Sequence, residues 1–457
     1  MHFRILISMI VTVVVLMTPV TEPRAESAPP FQDFTLENGL RVIMVQERKA
    51  PVVAVHLWYN VGATDEEDGA TGLAHMLEHM MFQGTTMVGP GEYSQRIARM
   101  GGDDNAATSL DYTYYYVKVS SDRLQKVLEL EADRMRNLVI DEEKFRSENM
   151  VVQEERRQRT DSRPSARLME RLRTVANGAD HPYGRPVIGW MEDIRNHSVE
   201  EMRTFYRTHY RSDNAVLVIV GDLAFSPARR IIDETMGAVP APKKPHTRAA
   251  LSKPHFPDSL KTISLKDKRV TMRRLYRTYP VPTLVDPAFA DDVYALDVLV
   301  TILGDGESSR LYRALVEKER LANGTDAGYG GISRQWEQFS IYANLVPGVP
   351  MKRVLAVVDQ EVERLRNELV SEREYNKAIN ALLAGHVYGR DTVDNLAWAI
   401  GRLTVSGIDW RVTLNYPERV AQVTREDVRR VAQRYLRHDQ GVLAYLLPAD
   451  ADDGGDQ

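Results

Sequence analysis

Residues 72–82 hold His75, Glu78 and His79, two imidazoles and a carboxylate in the order His-x-x-Glu-His. In a helix turning about 100° per residue all three fall on one face, so their side chains can converge on one point. Neutral imidazole nitrogens one turn apart suit a tetrahedral Zn²⁺, and a carboxylate beside them can take a proton from a water on the metal. The rest of the stretch is apolar: Leu73, Met76, Leu77, Met80, Met81 and Phe82. Polar groups set into such a surface need partners, and a metal supplies one.

A catalytic zinc takes a third protein ligand. A second polar helix, residues 141–157, offers carboxylates, of which Glu148 and Glu155 stand two turns apart and share a face. Glu155 is the expected ligand and Glu148 the group that supports a histidine, with Glu154 the competing carboxylate.

Several elements must hold these two helices. Residues 40–45 and 52–59 read as strands, β-branched and aromatic, and Asn38-Gly39 makes the turn before the first. Residues 113–119 give a third strand and 124–138 an amphipathic helix. The unbroken apolar run at 215–222 reads as a central strand covered on both faces. Strands followed by clustered helices predict an α+β domain with helices packed on a sheet. The stretch 239–246, Pro- and Lys-rich, cannot hold a helix or a central strand and marks a boundary. Beyond it the outline repeats: a strand at 271–279, a helix at 291–303 in the relative position of the histidine helix but without histidine, and a strand at 441–447 answering 216–220. The second half is therefore not expected to bind metal. The predicted division is 1–25 leader, 26–240 metal-binding domain, 241–255 linker, 256–448 second domain and 449–457 a disordered acidic tail.

The sequence resembles the pitrilysin or insulinase (M16) family of zinc metallopeptidases, and within it the short-chain members related to mitochondrial processing peptidase and bacterial two-subunit proteases. The resemblance rests on His75 to His79 with Glu155 downstream and on the flanks Gly69-Ala70-Thr71-Gly72 and Met81-Phe82-Gln83-Gly84-Thr85. Gly101-Gly102-Asp103-Asp104-Asn105-Ala106, the stretch from His181 to Gly189 and Ser308-Ser309-Arg310-Leu311 also match. It implies two similar domains, each a mostly antiparallel sheet with helices on it, forming half of a clamshell. Four such domains enclose a chamber. It implies Zn²⁺ on His75, His79 and Glu155, with Glu78 as the base in peptide hydrolysis. It also implies that Asn105 and Ala106 lie on the edge strand to which an extended peptide adds, although from the residues alone a plain hairpin is the better reading. His181 and Tyr183 read as structural.

One departure stands out. The family's C-terminal half carries an Arg and a Tyr seven apart that reach the substrate carbonyl; here Val316 and Asn323 occupy those places. A second M16-like subunit, making a heterodimer, is expected to supply the pair; the alternative is that Arg320 substitutes through a local shift.

Residues 1–24 begin with His2 and Arg4, run apolar from 5 to 17 and end among small residues, the pattern of a secretory signal peptide cut near Ala25. The alternative, an uncleaved anchor, is short of the roughly 20 residues that span a bilayer. The chain has no cysteine and a formal charge of -5, which leaves no disulfide and no basic footprint for nucleic acid. The expectation is a periplasmic protein with no membrane contact after cleavage. The competing functions are a non-catalytic scaffold of the same fold and a periplasmic peptide-binding module.

Overall fold

The computed structural model describes residues 30–451. In the first half β1 (Phe31–Thr35), β2 (Arg41–Gln46) and β3 (Val52–Tyr59) lead into α1 (Leu73–Met80) and α2 (Glu92–Arg99). An antiparallel pair, β4 (Asp103–Thr108) and β5 (Thr113–Ser120), is followed by α3 (Leu124–Asn137), α4 (Glu142–Arg156), α5 (Pro164–Asn177), α6 (Met191–Asn196) and α7 (Val199–His209). Then β6 (Ala215–Gly221) returns to the sheet and α8 (Phe225–Glu234) covers it. The second half begins with β7 (Lys261–Asp267), β8 (Arg274–Val281) and α9 (Ala290–Leu303), then pairs β9 (Ala322–Gly328) with β10 (Glu337–Leu345). It continues through α10 (Met351–Asn367), α11 (Glu372–Tyr388), α12 (Val393–Val405), α13 (Tyr416–Gln422) and α14 (Arg425–Tyr435) to β11 (Val442–Pro448).

The strands form two sheets, ordered β1-β2-β6-β3-β5-β4 and β7-β11-β8-β10-β9. Each returning strand plays the same part: β6 runs parallel to β2 and antiparallel to β3, and β11 runs parallel to β7 and antiparallel to β8. The protein is thus α+β, two similar domains with mostly antiparallel sheets, as the sequence leads one to expect. Strand β6 is buried along its whole length because both faces are covered. Leu217 and Ile219 enter the core shared with α1 and α3, while Val216, Val218 and Val220 enter a core shared with α12.

The second of those cores crosses the halves. Leu396, Ala397, Ile400 and Leu403 of α12 pack on Ile43, Trp58 and Val218 of the first sheet. In return Leu168, Leu172 and Ala176 of α5 pack on Val442, Ala444 and Leu446 of the second. Each is the third helix after its edge pair, so the two halves exchange equivalent helices. Gly401 makes this approach possible, since a Cβ there would lie 2.1 Å from the Trp58 ring.

Two expectations need correction. The strand expected at 271–279 begins at Arg274 and runs to Val281, because the chain first has to turn out of β7, a strand that sequence reading did not anticipate. Residues 241–255 have no regular structure, and within them Arg248 pairs with Asp65 at 2.6 Å while the Ser252 carbonyl lies 2.9 Å from His181 Nε2. The tail expected to be disordered from 449 remains folded to Ala451, which is buried in the second core and accepts a hydrogen bond from Lys266 at 2.7 Å. The expected leader lies outside the described residues, as does 452–457.

Candidate metal centre

Helix α1 starts at Gly72, which holds a left-handed φ of 94°. A side chain there would be strained and would also meet the Ile188 carbonyl at 2.5 Å. Buried Glu66 accepts from the backbone N–H groups of Gly72 and Ala74, both at 2.8 Å, and so satisfies the first turn. Arg185 in turn donates to the Glu66 carbonyl at 2.9 Å. The segment from His181 to Gly189 is thus a brace for α1, and Tyr183 within it donates to Asp111 at 2.7 Å.

With its start fixed, α1 turns Leu73, Ala74, Met76, Leu77 and Met80 into the core and presents His75, Glu78 and His79 toward α4 and the end of β4. Glu155, in the last turn of α4, meets both rings: its Oε2 lies 3.5 Å from His75 Nε2 and 3.4 Å from His79 Nε2. One donor atom from each of the three lies within 4.8 Å of the others. Two turns back, Glu148 Oε2 lies 3.3 Å from His79 Nδ1, and its other oxygen accepts from Gln83 at 2.7 Å. Glu154 points elsewhere, pairing with Arg157 at 2.9 Å and Gln158 at 3.1 Å. Glu78 accepts from the Thr108 hydroxyl at 2.5 Å, which places its carboxylate beside the end of β4.

The electrostatics follow from burial and neighbours. Burial pushes His75 down to about 4, and the adjacent His79 adds to that fall. Burial also opposes charge on His79, but the Glu148 and Glu155 carboxylates outweigh it and lift that ring to about 9. The His79 ring beside it holds Glu155 below the usual carboxylate range, whereas burial raises Glu78 against the opposing bond from Thr108.

Does this set fit a zinc ion? Glu155 Oε2 is buried and has no hydrogen-bond partner, although it faces two imidazole nitrogens, while Oε1 pairs with Arg159 at 2.8 Å. A buried carboxylate oxygen left unpaired between two rings calls for a cation at that point. Two nitrogens and one oxygen are also the donors that zinc takes in a site keeping a fourth position open. The residues fit.

Asn105 and Ala106 lie in β4 at the open edge of the first sheet. Val316 packs against the second core, and Asn323 stands exposed in β9. Arg320, also exposed, takes a left-handed φ of 52° just before that strand. Sequence reading missed Thr108, Gln83 and Glu66. Gln83 could have been found, since it stands one turn beyond His79; the other two are brought in by the fold.

Fold and site together define a two-domain α+β protein with a His-His-Glu cluster and a carboxylate beside it. A sequence model described as Insulinase (Peptidase family M16) matches residues 41–189, and one described as Peptidase M16 inactive domain matches 196–382. The chain is 30% identical over 460 residues to a zinc protease, PqqE, of Helicobacter pylori, covering 98% of this chain and 100% of that one. A crystal structure of a protease from Helicobacter pylori superposes with a TM-score of 0.86 at 29% identity, covering 92% of this chain and all of the other. The first half of the periplasmic protease PqqL from Escherichia coli shares the fold, with a TM-score of 0.76 at 19% identity over 91% of this chain and 92% of that one. This chain belongs to peptidase family M16.

Proposed function

We propose that the chain is the zinc-bearing subunit of an endopeptidase that hydrolyses short or unfolded peptides. The observation that carries this is the convergence of His75, His79 and Glu155 around an unpaired carboxylate oxygen, with Glu78 on the same helix face. His75, His79 and Glu155 would hold the ion. When bound, zinc brings the pKa of a water toward neutrality and polarises the peptide carbonyl. Glu78 would accept a proton from the attacking water and give it to the leaving amine, and its raised affinity for protons suits a group that must first accept and then give. Thr108 fixes the orientation of Glu78, and Glu148 holds Nδ1 of His79 so that Nε2 faces Glu155.

The open edge of β4, with Asn105 and Ala106, takes the substrate as an added strand, where main-chain hydrogen bonds give affinity with little sequence dependence. A second M16-like subunit supplies the Arg and Tyr that this chain lacks at Val316 and Asn323, and four domains then enclose a chamber that admits only short or unfolded chains. Export through the 1–25 leader to the periplasm agrees with the printed description of PqqL. Among the described residues no helix is long and apolar enough to cross a membrane.

The test combines metal content with turnover. Plasma emission is expected to find about one zinc per chain, and a chelator to abolish cleavage, with activity returning on addition of zinc. Peptide cleavage should be weak with the chain alone and rise on adding an M16-like chain encoded beside it. Less than about half an equivalent of zinc in carefully prepared protein would favour the peptide-binding module. Full metal without cleavage in any pairing would favour the scaffold, and full activity of the chain alone would remove the partner.

A further inference from the structure

Edge strand β4 has two faces. Thr108 and Asp104 point toward α1 and α2, where they meet Glu78 and Ser94. Asn105 and Ala107 point the other way, in register with Tyr116 and Tyr114 of β5. One strand further in, Tyr114 lies across from Trp58. The Trp58 and Tyr114 rings stack at 4.2 Å with their planes 10° apart, close to the spacing of neighbouring strands. Their faces therefore look along the hydrogen-bonding direction. One face of Tyr114 is taken by Trp58, and the other looks outward over β4, where the residue in register is only an alanine. Among the described residues the rings that pair with Tyr114 are His56, Trp58, Tyr112 and Tyr116, all from β3, β5 or the turn before it, while Trp398 of α12 reaches the Tyr114 hydroxyl. The stack of rings that begins at Trp58 thus stops one strand short of the edge.

Helix α12 roofs this place from the other half. Gly401 lies against Trp58, and one turn earlier stands Trp398, which is 37% exposed with the Arg402 guanidinium 5.1 Å from its ring. The Trp398 indole, engaged at the Tyr114 hydroxyl and still partly in solvent, leaves apolar surface beside Tyr114 that invites a further apolar group.

We propose that the outer face of Tyr114, floored by Ala107 and roofed by Trp398, is a side-chain subsite for an aromatic or large aliphatic residue of the peptide substrate. The proposal rests on the reading of β4 as the strand to which substrate adds. Side chains of an added strand alternate between the two faces. A residue turned toward Glu78 has neighbours turned toward Tyr114, so the selected residue is next to the one presented to Glu78. An added strand stands two strand spacings, about 10 Å, from β5. A long side chain crosses that gap over Ala107; alanine or serine does not.

The test uses the zinc-loaded protein with its candidate partner and a peptide pool, cleavage positions being mapped by mass spectrometry. Peptides differing only at the selected position, Ala, Leu or Phe, are then compared in kcat/KM, and in binding to the Glu78→Gln protein by fluorescence anisotropy. Phe and Leu are expected to exceed Ala about tenfold in both. In Trp398→Ala, and in Ala107→Leu, which fills the slot from within, the ratio should fall to within about twofold. A ratio near one in the wild-type protein, or one that survives both substitutions, overturns the subsite. Ala107→Leu weakening all three peptides equally overturns it too, because that would mark a fault in strand addition. Should no peptide be cleaved while the binding ratio behaves as expected, the peptidase reading fails and the subsite stands. Trp398 is half exposed, so its removal carries the test even where Ala107→Leu folds poorly.

Discussion

Helices α1 and α9 follow the equivalent strands β3 and β8 of their sheets, and each is met by a later helix, α4 or α11. On α1 the face toward α4 carries His75, Glu78 and His79, answered by Glu155 and Glu148. On α9 the corresponding region is filled by Leu296, Leu299 and Ile302, with Ala378 of α11 in the same core, and its charged group is Asp297, which accepts from the Tyr416 hydroxyl at 3.1 Å. One scaffold thus carries two different surfaces. The fold decides where a site can be, and the side chains on one helix face decide whether there is one.

The comparison is most sharply tested on the α1 side. On the proposed mechanism Glu78→Gln removes the base, and should keep zinc and folding yet lower kcat by at least about 10³-fold. Cleavage that survives would show that the proton goes elsewhere. Glu155→Gln should lose zinc, measured by plasma emission, whereas Glu154→Gln should keep it because Glu154 is engaged with Arg157 and Gln158. The opposite pattern would transfer the ligand role. Glu148→Gln should have a smaller effect, weakening zinc about 10- to 100-fold in a chelator competition, because it leaves the donor set intact but loosens His79.

How much of this could be read from the sequence depends on the range of the interactions. The trio on α1 and the pair on α4 are legible because helical spacing alone puts each set on one face. The strand β6 is legible from its unbroken apolar run and α9 from its local apolar pattern. The edge strands are not. β4 reads Asp-Asp-Asn-Ala-Ala-Thr and β9 Ala-Asn-Gly-Thr-Asp-Ala-Gly, poor strand formers both, and each is held by pairing with one inner neighbour. The exchange of α5 and α12 is equally hidden. Leu396, Ile400 and Leu403 say that α12 buries a face, but not that the sheet beneath it belongs to the other half. Thr108 and Glu66 act on α1 through folding of the chain, so no local pattern marks them.

That exchange gives the next test. Gly401→Ala sets a methyl against the Trp58 ring at the point where α12 meets the first sheet. Overpacking of this kind costs about 1–3 kcal/mol, read as a lower midpoint in urea. Unchanged stability would mean that α12 is not tightly seated on Trp58. A roof that shifts should also blur the side-chain preference at Tyr114, which ties this measurement to the α1 half.

The smallest effect belongs to α9. Burial raises Asp297 to about 7, against the opposing bond from Tyr416. A carboxyl whose folded-state pKa lies above its unfolded value binds a proton that the unfolded chain has released, so stability falls as pH rises from about 4 to about 7 and levels off above that. Asp297→Asn keeps an acceptor for Tyr416 and removes the titration. Asp297 retains some solvent contact, and water screens part of the cost, so the variant should gain only about 1–2 kcal/mol on the wild type between pH 5 and pH 8. In thermal melts the difference in Tm between the two should widen in favour of the variant over that range. A difference that stays constant would show that Asp297 is ionised at ordinary cost. The helix opposite α1 would then tolerate charge as readily as α1 does, and the contrast between the halves would rest on which ligands are present, not on how their surroundings treat charge.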